Sequence, residues 1–207
     1  MSGIEVVGLI SAIIGIIGAI ENVYNGLRDT KNLPLAFREV AEKLPIVRDT
    51  LRAAEEHIRD NPDEEACQAM KTVVEKCKVK AEHLEQIFNA VTPSEGTSRL
   101  ERYRMAVRRL GKGNLVEVLT REMMEDVRLL AENRAVQAAT EAQVVQLVKA
   151  IEDLSNMEPS LPDEDSVSQS HFGSGDNVAG NKVGGNHNVS HGSGPVYFGS
   201  VINNGTK

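Results

Sequence analysis

His57, Cys67, Cys77 and His83 are residue types that ligate metals or act as nucleophiles. Cys67 and Cys77 lie ten residues apart on one predicted helix. That is about 15 Å at helical rise, too far to share a metal ion or a disulfide. Buried core thiols are the expected outcome. His187 and His191 are four apart, but in Gly-rich sequence rather than a helix, so the zinc signal is weak. Charge on them would make any stacking of that segment sensitive to pH. Glu55-Glu56 and Glu64-Glu65 read as solvated helix faces. No triad, nucleophile motif or phosphate cradle is found, so no enzyme, cofactor or metal is expected.

The dense basic cluster is Arg99, Arg102, Arg104, Arg108, Arg109 and Lys112, with Glu101 among them. Two uses fit it. Anionic lipid headgroups would contribute about 1 kcal/mol per basic residue held near a membrane surface. A solvated helix paired with Glu117, Glu122 and Glu125 would need no ligand at all.

These residues need a scaffold, and composition bounds it. The 207 residues allow one sizeable domain, or one domain and a tail. Aromatic content of 3% and the absence of Trp argue against a β-sandwich and for a helical chain. A net charge of −7 argues against nucleic acid as a partner. Two cysteines make no disulfide framework, so a reducing cytoplasm is the expected compartment. The charge is uneven: residues 166–207 carry only Asp176, Lys182 and Lys207 but hold nine of the 17 glycines. The chain therefore divides into a helical part, 1–156, an acidic Pro-containing linker, 157–170, and a tail, 171–204.

The front part reads as all-α. Apolar residues recur at three- and four-residue steps through 33–60, with Leu35, Phe37, Val40, Leu44, Val47, Leu51 and Ile58. Pro45 is expected to kink or restart that helix. Asp63 is a predicted N-cap for 64–91, and Ser98 for 99–110, which Gly111 and Gly113 end. Further helices fit 114–133 and 135–155. A multi-helix bundle with short loops is the expected fold.

Segment 3–29 is the odd element. Val6 to Ile20 contains no charge, and its apolar residues cover nearly the whole helix circumference. Val6, Leu9, Ile10, Ile13, Ile14, Ile16, Ile17 and Ile20 suit a membrane. The run alone spans roughly 22 Å, against roughly 30 Å of hydrocarbon. Ser11, Gly15 and Ala19 repeat every four residues, as do Gly8 and Ala12, which permits close helix approach in lipid. A central bundle helix, with small residues making room for its neighbours, fits as well. One reading can describe the resting state and the other an activated one.

The tail is close to a palindrome. Gly-Ser-Gly recurs at 173–175 and 192–194, with Asn-Val and Gly-Asn units between. One copy cannot bury enough to fold, but stacked copies can. Asn ladders and dry apolar contacts then use Asn177, Val178, Gly180, Asn181, Val183, Gly185, Asn186, Asn188 and Val189, followed by Val196, Tyr197 and Phe198. A disordered tail able to form cross-β amyloid is the expectation, with a functionless flexible tail as the alternative.

MSGIEVVGLISAIIGIIGAIENVY, LPLAFREVAEKLPIVRDTL and SRLERYRMAVRRLGKGN resemble the fungal HeLo-like domain, also known as an N-terminal domain of NACHT and other P-loop NTPases. The resemblance covers roughly residues 1–160. The tail resembles a fungal amyloid signalling motif, most like the PP type of HELLP proteins, with the σ type as the other candidate. Asn and His stand where PP motifs carry Gln. The resemblance implies a cell-death executioner. A NOD-like receptor with a matching motif templates the tail, self-assembly clusters the helical domains, and the N-terminal segment permeabilises the plasma membrane. With no phosphate-binding loop in these residues, it implies the executioner or adaptor side rather than the receptor. A non-lytic adaptor, which polymerises through its tail and recruits a partner through the bundle, is the second reading. An autonomous prion acting in vegetative incompatibility is the third.

Overall fold

The structure is a computed structural model and describes residues 3–27, 32–92, 96–111, 113–133 and 141–161. Six helices occur among them: α1 (Gly3–Gly26), α2 (Leu35–Asp60), α3 (Glu64–Ala90), α4 (Arg99–Leu110), α5 (Val116–Glu132) and α6 (Glu141–Ser155). No strand occurs among the described residues, and the fold is all-α.

Local signals set the ends. Asp63 accepts a hydrogen bond from the Ala66 amide at 3.0 Å, and Ser98 accepts one from the Glu101 amide at 3.2 Å. Each satisfies a donor the first helical turn leaves open. Gly111 stops α4 at φ +109°, a backbone region that side chains disfavour. The expected restart at Pro45 does not occur: α2 continues from Leu35 to Asp60. Leu44, Val47 and Leu51 are fully buried on either side of the proline. Their packing outweighs the roughly 3 kcal/mol a helix-interior proline costs. Leu35, expected on the apolar stripe, is mostly exposed at the first turn.

The packing is a four-helix ring with two additions. Helices α2 and α3 each pack against α1 and α5, so α1 and α5 face each other across the core. Helix α6 covers α5 and α2, and α4 covers α3. No described helix covers the outer side of α1. At one end of the core the aromatic rings form a chain. Phe37 lies 5.1 Å from Phe88 and 4.9 Å from Tyr103, centroid to centroid, and Tyr24 lies 6.2 Å from Phe88. Met157 and Leu161, assigned by sequence to the linker, pack against this core.

Candidate functional site

Helix α1 has two unlike faces. Val6, Ile10, Ile13, Ile17 and Ile20 recur at steps of four and three and are buried between α2 and α3. Leu9, Ile14 and Ile16 flank that stripe and are half-buried. The outer ridge is built of small residues: Gly8, Ser11 and Gly15 are exposed, and Gly18 and Ala19 are half-buried. A Cβ added at Gly8, Gly15 or Gly18 would meet nothing within 4 Å. The small residues therefore make no room for neighbours in this state, and α1 is not a central helix. They serve a different end. A ridge of glycine presents backbone and little hydrocarbon to water, so a helix with a charge-free middle can lie at the surface of a folded domain. Ile4 is the large α1 side chain that stays mostly exposed.

Three polar ties hold α1 to the ring. Near its start Glu5 pairs with Lys71 of α3 at 2.9 Å, and that hydrogen bond holds the ammonium above its usual pKa. At mid-helix the Ser11 hydroxyl donates to the Glu55 carboxylate of α2, which also takes Arg59 at 2.6 Å. Near the end Glu21 pairs with Arg48 of α2. The second Glu21 oxygen, Oε1, is buried with no partner. Ties of this kind, mostly near the surface, contribute modestly and orient more than they hold.

The basic cluster on α4 is not one surface. Arg102 departs from the headgroup role expected of it. Its Nε donates to the Ala90 carbonyl at 2.9 Å, one terminal nitrogen donates to the Thr92 carbonyl at 2.8 Å, and the other donates to the Thr97 carbonyl. A guanidinium there completes the open carbonyls after α3 and favours the negative helix end. Arg104 pairs with Glu101 at 3.6 Å, Arg99 is half-buried, and Arg108 and Arg109 are exposed. Lys112 lies outside the described residues. Arg102→Ala should lower stability by about 1.5–3 kcal/mol, because hydrogen bonds from a charged group to carbonyls are lost. Arg109→Ala should change it by less than about 0.5 kcal/mol. Denaturant unfolding of the two variants checks the contrast.

Cys67 and Cys77 are both buried and free. Burial pushes the Cys77 thiol far above its ordinary pKa, which removes nucleophilic character. His83 Nδ1 lies 3.0 Å from the Asn114 side-chain oxygen, which ties α3 to the loop before α5. No group of three or more His, Cys, Asp or Glu able to hold a metal occurs among the described residues. The tail positions from Asn177 to Phe198, with His187 and His191, lie outside the described residues, as does 162–170 of the linker.

Sequence reasoning missed one polar cluster. Tyr103 and Glu117 are buried, and both contact Ser160. The signal was the periodicity of α4, which places Tyr103 in line with Val107 on the buried face.

A family model described as SesA, the N-terminal domain on NACHT_NTPase and P-loop NTPases, matches residues 10–130. The match runs from within α1 to near the end of α5 and so covers the four-helix ring. Neither the curated proteins nor the solved structures yield a match.

Proposed function

This chain belongs to the SesA family of N-terminal domains found on NACHT NTPases and P-loop NTPases, and we propose that it is a membrane-acting executioner of regulated cell death. Family membership associates it with NACHT NTPase signalling systems. In this reading a NOD-like receptor templates the tail of residues 171–204 into a cross-β stack. Stacking crowds the helical domains, and α1 leaves its place between α2 and α3 for an anionic bilayer. The HeLo-like character of the bundle and the amyloid character of the tail belong to this proposal.

The observation that carries it is the outer face of α1. The helix is 24 residues long and, by length and composition, apolar enough to cross a membrane. Only 33% of its most apolar window is buried in the bundle. The uncovered ridge of Gly8, Ser11, Gly15 and Gly18 is inert in water and is the kind of surface on which helices pack in lipid. Its polar ties number three among the described contacts, so little beyond the isoleucine stripe must be undone to free it.

The test uses the full chain with vesicles containing phosphatidylserine and an enclosed dye. Preformed fibrils of the 171–204 peptide serve as seeds. The peptide alone should form fibrils with a repeat of about 4.7–4.8 Å, and a peptide that stays monomeric at high concentration removes the templating step. Seeded full chain should release the dye, and unseeded chain should not. Seeded assembly without release favours the non-lytic adaptor.

A further inference from the structure

After α6 ends at Ser155, the chain folds back and closes on the bundle. Met157 and Leu161 pack against the core, and Ser160 lies between them in the chain. The Ser160 amide donates to Glu117 Oε1 at 2.8 Å. The Ser160 and Tyr103 hydroxyls share a hydrogen bond of 2.5 Å, and the Tyr103 oxygen also accepts from the Val116 amide at 3.4 Å. Tyr103 is fully buried and Glu117 is 4% exposed. Glu117 Oε2 is buried with no partner. A carboxylate held out of water with one oxygen unsatisfied weakens the closed state of this clasp.

The sequence around Ser160 adds a second feature. Asp163, Glu164 and Asp165 follow at the third, fourth and fifth positions after it. The residues from Asn156 to Leu161 are not helical, and Ser155, Asn156, Glu158 and Pro159 are exposed. A serine in non-helical chain with a downstream acidic run is complementary to a protein kinase whose peptide cleft is basic.

We propose that Ser160 is a phosphorylation site and that its phosphate holds the clasp open. A kinase transfers the γ-phosphoryl group of MgATP to Ser160 Oγ. The new P–O bond replaces the bond to the β-phosphate oxygen, ADP leaves, and the hydroxyl proton passes to the kinase base. Ser160 is half-buried, so transfer takes place when the segment lifts. The product cannot return to the closed geometry. Oγ there abuts a fully buried phenol, and the nearby carboxylate of Glu117 repels a dianion. Modification thus selects the open state and frees the root of the segment that leads to the tail. This inference stands apart from the membrane reading, since it concerns α4, α5, residues 157–161 and the acidic sequence that follows them.

The experiment treats the full chain with an acid-directed serine kinase and MgATP, beside a control peptide of residues 155–166. Mass spectrometry locates the phosphate, and hydrogen exchange follows residues 157–161. The expected result is phosphate on Ser160, its absence in Ser160→Ala, and exchange at 157–161 at least about tenfold faster with α1–α3 unchanged. Glu117→Gln keeps an acceptor for the Ser160 amide and removes the charge. Its phosphorylated form should open less than the phosphorylated parent. No phosphate on Ser160 in a chain whose control peptide is modified overturns the proposal. So does phosphate on Ser160 with exchange unchanged, or Glu117→Gln opening as fully as the parent.

Discussion

Gly15→Glu should leave the bundle folded and abolish dye release by the seeded chain. The position is exposed, a Cβ there meets nothing within 4 Å, and glutamate is a better helix former than glycine. The added Cβ meets no steric opposition in the resting structure. In a bilayer the same carboxylate sits near the middle of α1. Placing an acidic side chain there costs about 2.5–3.5 kcal/mol on insertion scales, roughly a hundredfold or more per chain. Clustered chains multiply that cost. Thermal melting checks folding, seeded fibril growth checks the tail, and dye release reads the membrane step. Normal release from a folded Gly15→Glu chain would remove α1 from the mechanism.

Two companions sharpen the result. Gly15→Ala should raise stability by about 0.5–1 kcal/mol, because alanine reduces the backbone freedom of the unfolded chain and its Cβ meets no steric cost in the helix. Gly15→Leu should also fold, and it should reduce release if helices pack through this ridge in lipid. Ile13 is the wrong position for a charge. It is fully buried, so Ile13→Asp tests folding rather than insertion.

Phe37→Ala should be the most destabilising single truncation in the core, at about 3–5 kcal/mol. The ring touches Phe88 of α3 and Tyr103 of α4 and is almost fully buried. Removing it leaves a cavity where three helices meet and orphans an edge-to-face contact with Tyr103 and a tilted one with Phe88. A domain of this size has about 5–15 kcal/mol in all, so the loss takes a large share. The denaturant midpoint should fall steeply with an unchanged slope. Phe37→Leu, which retains most of the volume, should lose much less. Equal losses for the two would mean that the aromatic chain contributes no more than hydrocarbon of its size.

Much of the fold is legible in the chain because its signals are local. The Asp63 and Ser98 caps, the ending at Gly111 and the stripe of Cys67, Val74, Cys77, Ala81, Leu84 and Phe88 each act within a turn or two. Capping and periodicity need no knowledge of what the helix packs on. The restart expected at Pro45 is absent for the complementary reason. Its cost is local, but the burial that overrides it comes from residues far along the chain.

The candidate site divides in the same way. Sequence alone determined that α1 carries a charge-free run from Val6 to Ile20 with small residues in four-residue register, since that is a matter of composition and spacing. It could not determine which side of α1 the glycines occupy. An apolar residue on every face leaves the hydrophobic pattern without a direction. Tertiary structure decided it: α2 and α3 together take up one side, the isoleucine stripe fills that side, and the glycines are left facing water. The same limit hid two further roles. Arg102 looked like one basic residue among six until the end of α3 was brought beside it, where its charge meets the Ala90 and Thr92 carbonyls as well as the Thr97 carbonyl before α4. Ser160 lies 43 residues from Glu117 and 57 from Tyr103, and no pattern within a few turns can announce a contact over that separation. Short-range physics is written in the order of residues, whereas the partner of a side chain is settled only when distant segments compete for the same core.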